Sequence, residues 1–293
     1  MKKKTLKEKV KFSIYSVLTI LSPVLNTQFQ FCEHTGHMAN LKNPISFSEK
    51  LSWLKLNRYA DDPLVQQCSD KYAVRFYVEE CGFRDILNPI YGVYDKAGDI
   101  PWSQLPESFA LKWNFGSGYN LICKQKAKLD IKAAERQLNK WGHSHYWNYH
   151  AELQYKHIKK KILCERYLGT DEGQPLIDYK FYTFKGAVKA VLVISRIDQN
   201  ADAAAFMTPD WQYLSDIPSR YSSTFKPERP QSLEHMIEVA EKLAAPFPFV
   251  RVDFYEWHGC PIFGEMTFTP AAGVFPSETI IEGKSMGEQL QLD

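Results

Sequence analysis

The 293-residue sequence predicts an α+β chain, with helices concentrated early and antiparallel hairpins late. Three observations carry that expectation. Capped stretches at 43–58 and from Ser232 to about Ala245 have helical apolar spacing. Two strand-forming runs, 177–196 and 247–270, are each interrupted by a turn dipeptide, Lys185–Gly186 and His258–Gly259. Finally, strands and helices do not alternate with the regularity that a doubly wound sheet or a β/α barrel requires.

Taken in order, the chain opens with Lys2, Lys3, Lys4, Lys7, Lys9 and Lys11 before the mildly apolar run Phe12–Leu25. That run falls short of the roughly 20 apolar residues of a membrane span and is broken by serines and Pro23. It has no cleavage site of a signal peptide. Ile14, Val17, Leu18, Leu21 and Leu25 follow helical spacing, so an amphipathic helix is expected, docked on the protein's own core. The rival is a lysine-assisted seat on an anionic membrane surface. Ser46 and Glu49 form a capping box for the helix that begins near residue 46. A helix over 69–83 is expected to start at Ser69 or Asp70 and stop at Gly82. Strands follow at 88–95, 108–113, 120–124 and 161–168, with a helix capped by Asp130 over 130–141. Residues 197–230, with Pro209, Pro218, Pro227 and Pro230, read mostly as loop, and a short helix ends the chain near Met286–Leu290.

Hydrophobic residues at 44% and charged residues at 24% describe an ordinary globular protein. A net charge of +2 provides no field that would demand a nucleic acid partner. Six scattered cysteines with no C-x-x-C pair suggest reduced thiols and a cytoplasmic setting. Cys32, His34 and His37 lack a fourth ligand nearby, so no zinc site is expected.

The chemistry concentrates in two places. In "LKWNFGSGYN" (111–120) a Gly-Ser-Gly turn between two strands exposes backbone N–H groups to an anion, with Lys112 before it and Lys124 after it. The spacing is not that of a P-loop. In "FPFVRVDFYEWHGCPIFGEMTFTP" (247–270) Arg251 and Asp253 share one strand face, and Glu265 and Thr267 share another. A plain two-residue turn pairs Asp253 with Gly264. A connection containing one bulged residue, Cys260, instead places Asp253 opposite Glu265 and Arg251 opposite Thr267. Two such carboxylates either find a cation or remain an edge pair with Arg251; on the first view, removing one charge relieves repulsion between them.

Together, "NPISFSEKLSWLKL", "DKYAVR", "GVYD", "LKWNFGSGYN", "CERYL", "DYKFYTFKG" and "FPFVRVDFY…FGEMTFTP" resemble the ATP-grasp superfamily, and within it the TupA-like proteins found among genes for bacterial surface polysaccharides. The resemblance runs from about Asn43 to the C-terminus. It implies two α+β subdomains clasping ATP behind a helical N-terminal extension: a basic helix and loop over 1–42, an α/β segment over 43–105, a small subdomain over 106–168 and a large one over 169–293. It also implies ATP contacts at Lys112, Gly116, Ser117, Gly118, Lys124, Glu165, Arg166, Tyr167, Leu168, Asp178 and Lys180. Mg²⁺ ligands would be Asp253, Glu265 and Thr267, and the catalytic residues Arg251, Lys112 and Arg196. Thr267 stands where the superfamily usually has Asn, and Phe115 where close relatives would have His.

The implied activity is an ATP- and Mg²⁺-dependent carboxylate–amine ligase working through an acyl phosphate. Its partners would be an amino acid and a glycan, sugar-nucleotide or lipid-linked acceptor with a uronic-acid-type carboxylate. Trp141, Trp147 and Tyr149 either stack on sugar rings or pack in the core. The alternatives are a sugar kinase on the same fold and a nucleotide-binding partner of a glycosyltransferase. The implied location is cytoplasmic, with contact at the inner membrane face through the N-terminus.

Overall fold

Pro23 decides how the chain begins. In the computed structural model, which describes residues 6–169, 176–198, 201–214, 225–275 and 277–292, the N-terminal helix does not run through to Leu25. Helix α1 (Leu6–Leu21) stops, Ser22 caps the next helix by accepting from the Leu25 amide, and Pro23 opens α2 (Pro23–Thr35) at its first position. The result is a helical hairpin. Its orientation overturns the expected docking: Val10, Ile14, Val17, Leu21, Val24, Leu25 and Phe29 are exposed, while Tyr15, Thr19, Asn26, Thr27, Gln30 and Phe31 are buried. Polar bonds dock the inward face, since Asn26 Nδ2 donates to Tyr149 O at 3.2 Å and Gln30 Nε2 donates to the same oxygen at 3.0 Å.

The capping box forms as expected on α3 (Phe47–Asn57). The helix expected over 69–83 is split. Ser69 ends α4 (Pro63–Ser69), Asp70 accepts from the amides of Tyr72 and Ala73, and α5 runs Val74–Glu80 before Gly82 turns at a φ of 97°. The cap residue therefore does its work inside a turn between two short helices.

Four strands make a small antiparallel sheet in the order β1 (Ile90–Tyr94), β4 (Ile162–Arg166), β2 (Phe109–Trp113), β3 (Asn120–Cys123). Helix α6 (Ile131–Gly142), capped by Asp130, packs behind it, and the Trp113 indole donates to Leu138 O at 3.0 Å. A larger antiparallel sheet has the order β7 (Ala201–Met207), β6 (Ala187–Asp198), β5 (Ile177–Phe184), β8 (Phe249–Trp257), β9 (Cys260–Thr267). Strand β7 adds to the reading of 197–230 as mostly loop: the run of small apolar residues before Pro209 pairs as an edge strand with β6. Residues 208–214 and 225–230 lie in no named strand or helix, and 199–200 and 215–224 lie outside the described residues.

Alternation gives the larger sheet two unlike faces. Phe181, Val252, Phe254 and Met266 join a core with Leu233, Met236, Ala240 and Leu243 of α7 (Leu233–Ala244), and with Leu51, Leu54 and Val78 of the early helices. The opposite face carries Asp178, Lys180, Arg251 and Asp253. Two short strands, β10 (Ile280–Ile281) and β11 (Lys284–Ser285), lead into α8 (Met286–Gln289), which packs on α3.

Candidate active site

On β2 the alternation sends Phe109, Leu111 and Trp113 into the small core and turns Lys112 toward a cleft between the two sheets. Lys112 Nζ meets Glu165 Oε2 of β4 at 2.8 Å. Beyond β2 the glycine turn is held from beneath. Asn114, fully buried, donates to Asp70 Oδ2 at 2.8 Å, and its carbonyl accepts from the Lys71 amide at 2.9 Å. Gly116 has a φ of 66°, and a Cβ there would lie 2.5 Å from the Tyr146 ring, so both conformation and space demand glycine. Ser117 and Gly118 stand exposed at the cleft mouth. Phe115 does not face them. It is buried against Trp113 and Tyr119, with Lys160 over its ring, which explains an apolar residue at that position.

Across the cleft, register does the positioning. Lys180 pairs with Asp253, which pairs with Glu265, so three charges from β5, β8 and β9 lie in one row. Tyr182, Arg251 and Thr267 form the next row. The hairpin combines both turn expectations. His258 and Gly259 form a plain two-residue turn with φ values of 52° and 73°, yet Asp253 still faces Glu265. The extra residue is Gly264, lying between the Asp253–Glu265 and Phe254–Phe263 pairs, and not Cys260. A Cβ on Gly264 would stand 2.9 Å from the Asp253 carbonyl, so glycine permits the bulge.

The acids are enclosed by cations. Arg251 grips Asp253 with two bonds, Nε to Oδ1 at 2.6 Å and a terminal nitrogen to Oδ2 at 2.7 Å. Lys180 Nζ adds a third at 2.6 Å and stands 3.5 Å from Asp178. Lys71, from the turn before α5, donates to Gly116 O at 2.6 Å and lies 3.1 Å from Glu265 Oε2. One ammonium thus ties the glycine turn to the late hairpin. Sequence reasoning quoted "DKYAVR" for its resemblance but gave Lys71 no role, because nothing in local spacing reports a contact made 45 and 194 residues away. Tyr255, packed near Asp178 and lining the cleft, was also missed.

Burial alone would raise the Glu265 carboxyl, but Lys71, Lys180 and Arg251 outweigh it and hold the acid at about 2. Burial would lower Arg251, yet the bidentate Asp253 carboxylate reverses that and raises it well above its usual value. The expected repulsion between Asp253 and Glu265 is therefore not the dominant force: at least three cations bracket two carboxylates.

Lys112, Ser117, Gly118, Glu165, Arg166, Tyr167, Leu168, Asp178, Lys180, Arg251, Asp253 and Glu265 all line this one cleft, whose volume is about 420 Å³. Gly116 supports it from behind. Lys124 follows β3 and is not among the lining residues, and the Arg196 side chain lies outside the described residues. Thr267 stands beside the cleft, donating to Glu265 Oε1 at 3.3 Å and accepting from Arg251 at 3.2 Å. Trp141 packs in the small core, and the Tyr149 ring meets Phe12 and Tyr146, so neither presents a free sugar platform. Lys156 lies over the Trp147 ring.

Among the described residues no group of three His, Cys, Asp or Glu gathers as a metal cage. Mg²⁺ does not need one. It binds through one or two carboxylates together with phosphate oxygens, and the facing Asp253 and Glu265 are a fitting donor set for that mode.

Comparison with curated proteins gives no match. Among solved structures, D-alanine–D-alanine ligase from Bacillus anthracis complexed with ATP is 13% identical, with a TM-score of 0.43, over 70% of this chain and 56% of that one. The corresponding ligase from Helicobacter pylori is 16% identical, with a TM-score of 0.43, over 78% and 63%. D-cycloserine synthetase DcsG is 14% identical, with a TM-score of 0.41, over 76% and 69%. The chain thus spans little more than half the length of the D-alanine–D-alanine ligase from Bacillus anthracis. The profile described as TupA-like ATPgrasp matches residues 49–289, most of the chain. The protein belongs to the TupA-like ATP-grasp family.

Proposed function

We propose that this protein is an ATP-dependent carboxylate–amine ligase acting in the cytoplasm, joining an amino acid to a uronic-acid-type carboxylate of a surface glycan or its precursor. The observation that carries this reading is the convergence of Ser117 and Gly118 with Asp253, Glu265, Arg251 and Lys71 on one cleft. Family membership supports the nucleotide, and the glycan rests on what the resemblance of the sequence motifs implies.

Each chemical demand has a residue. Lys112 and the exposed amides of Ser117 and Gly118 bind the ATP phosphates. Arg251 and Lys180 neutralise the charge that develops on the γ-phosphoryl group as an acceptor carboxylate oxygen attacks phosphorus and ADP leaves. An amine then attacks the acyl carbon, the amide bond forms, and inorganic phosphate departs with the acyl oxygen. Asp253 and Glu265 would hold Mg²⁺, which when bound screens the β- and γ-phosphate oxygens. Lys71 keeps the phosphate turn and the acidic hairpin at a fixed separation.

Incubation with ATP, Mg²⁺, hydroxylamine and a panel of uronic acids tests the reading. A ligase yields a hydroxamate and ADP, because hydroxylamine traps the acyl phosphate. A sugar phosphate with no hydroxamate would identify a kinase, and nucleotide binding without any turnover across the panel a non-enzymatic partner.

A further inference from the structure

Helices α1 and α2 are patterned inside out. Ser16, Asn26 and Gln30 face the protein and bond to Asn148 and Tyr149, whereas Ile14, Val17, Ile20, Leu21, Val24 and Leu25 face away. Leu21 is 72% exposed and Ile20 67%, at the bend where the two helices meet. A surface helix ordinarily buries its aliphatic stripe, so a contiguous exposed one marks a contact surface. Charge is concentrated beside it in the sequence. Six lysines against Glu8 give the first 11 residues +5, so the rest of the chain carries −3 of the net +2.

We infer that this hairpin seats the protein on an anionic lipid bilayer, its aliphatic face in the interface and its lysines against the headgroups. The combination of an apolar face and adjacent lysines is what interfacial helices use, each lysine adding attraction to an anionic leaflet. Neither helix crosses: α1 has 16 residues and α2 has 13, and no described helix is long and apolar enough to span. A second copy of the chain fits less well, because the self-complementary contact it requires offers the lysines little to pair with. Glu33, beside this face, is already taken by Lys11 at 2.6 Å and by the Tyr15 hydroxyl.

Sedimentation of the full chain with vesicles tests this without reference to catalysis. Binding to phosphatidylcholine vesicles containing phosphatidylglycerol is expected to exceed binding to phosphatidylcholine alone by roughly thirtyfold, about what two lysines contribute at an anionic surface. High salt is expected to erase the difference. The double variant V17E/L21E, altered only at exposed positions, is expected to lose vesicle binding with its melting temperature unchanged. Equal binding to both vesicle types, or none to either, overturns the inference. So does a lipid-free dimer that V17E/L21E dissociates, which would assign the face to a second copy.

Discussion

Replacing Asp253 with Asn separates two views of the acidic hairpin. If Asp253 and Glu265 chiefly repelled each other, removing one charge would stabilise the empty protein. The structure says the reverse. The Asp253 side chain is only 4% exposed and accepts from Arg251 twice and Lys180 once, all within 2.7 Å, while those partners are 13% and 12% exposed. Asn would take the nearest counter-charge from two shielded cations, leaving Lys180 with Asp178 at 3.5 Å and Arg251 with Glu265 at 3.8 Å. Removing one partner of a buried ion pair costs on the order of 3–5 kcal/mol. For a chain of this size each kcal/mol lowers the melting temperature by about 2 °C, so Asp253→Asn should melt roughly 6–10 °C lower. The assay is calorimetry without nucleotide, extended to Lys180→Met and the double variant. The double variant should recover part of the loss, because it removes the stranded ammonium as well. A melting temperature for Asp253→Asn at or above that of the unaltered protein would refute the argument.

Other expectations follow from the same geometry. Lys71→Met should reduce turnover by on the order of 10²-fold, measured as ADP release, because the glycine turn and the acidic hairpin lose the ammonium that positions them; an unchanged rate would show that this tie does not position the site. Glu265, with its folded value about 2 against an ordinary 4.5, contributes stability that is complete above about pH 4.5 and lost as pH falls toward 2. Acid titration of the melting temperature should therefore fall more steeply for the unaltered protein than for Glu265→Gln across that window, and parallel curves would contradict the assignment. Gly116→Ala should weaken nucleotide binding in calorimetric titration, since its φ of 66° and the Tyr146 ring force the turn to move; an unaltered Kd would show that the turn does not cradle phosphate.

Much of the late half was legible in sequence. Alternation in 177–196 and 247–270 and the turn dipeptides gave the hairpins, because a two-residue turn with left-handed backbone fixes register locally. The bulge was harder. Cys260 and Gly264 both satisfy the count, and only the close approach of the Gly264 backbone to the Asp253 carbonyl chooses between them. At the N-terminus periodicity found the apolar stripe but not its direction. Helical spacing says which residues share a face, and what that face meets depended on Asn26 and Gln30 finding Tyr149 more than 100 residues away. Lys71 escaped for the same reason: its role lies in two tertiary contacts and in no motif of its own.

The central claim is that one cleft holds Mg·ATP, its triphosphate lying between the glycine turn and the acidic hairpin. A crystal structure with Mg²⁺ and a non-hydrolysable ATP analogue measures it directly. The account places phosphate oxygens on the Ser117 and Gly118 amides, with the metal between them and the carboxylates of Asp253 and Glu265. Nucleotide bound elsewhere, or phosphates directed away from both acids, would contradict it.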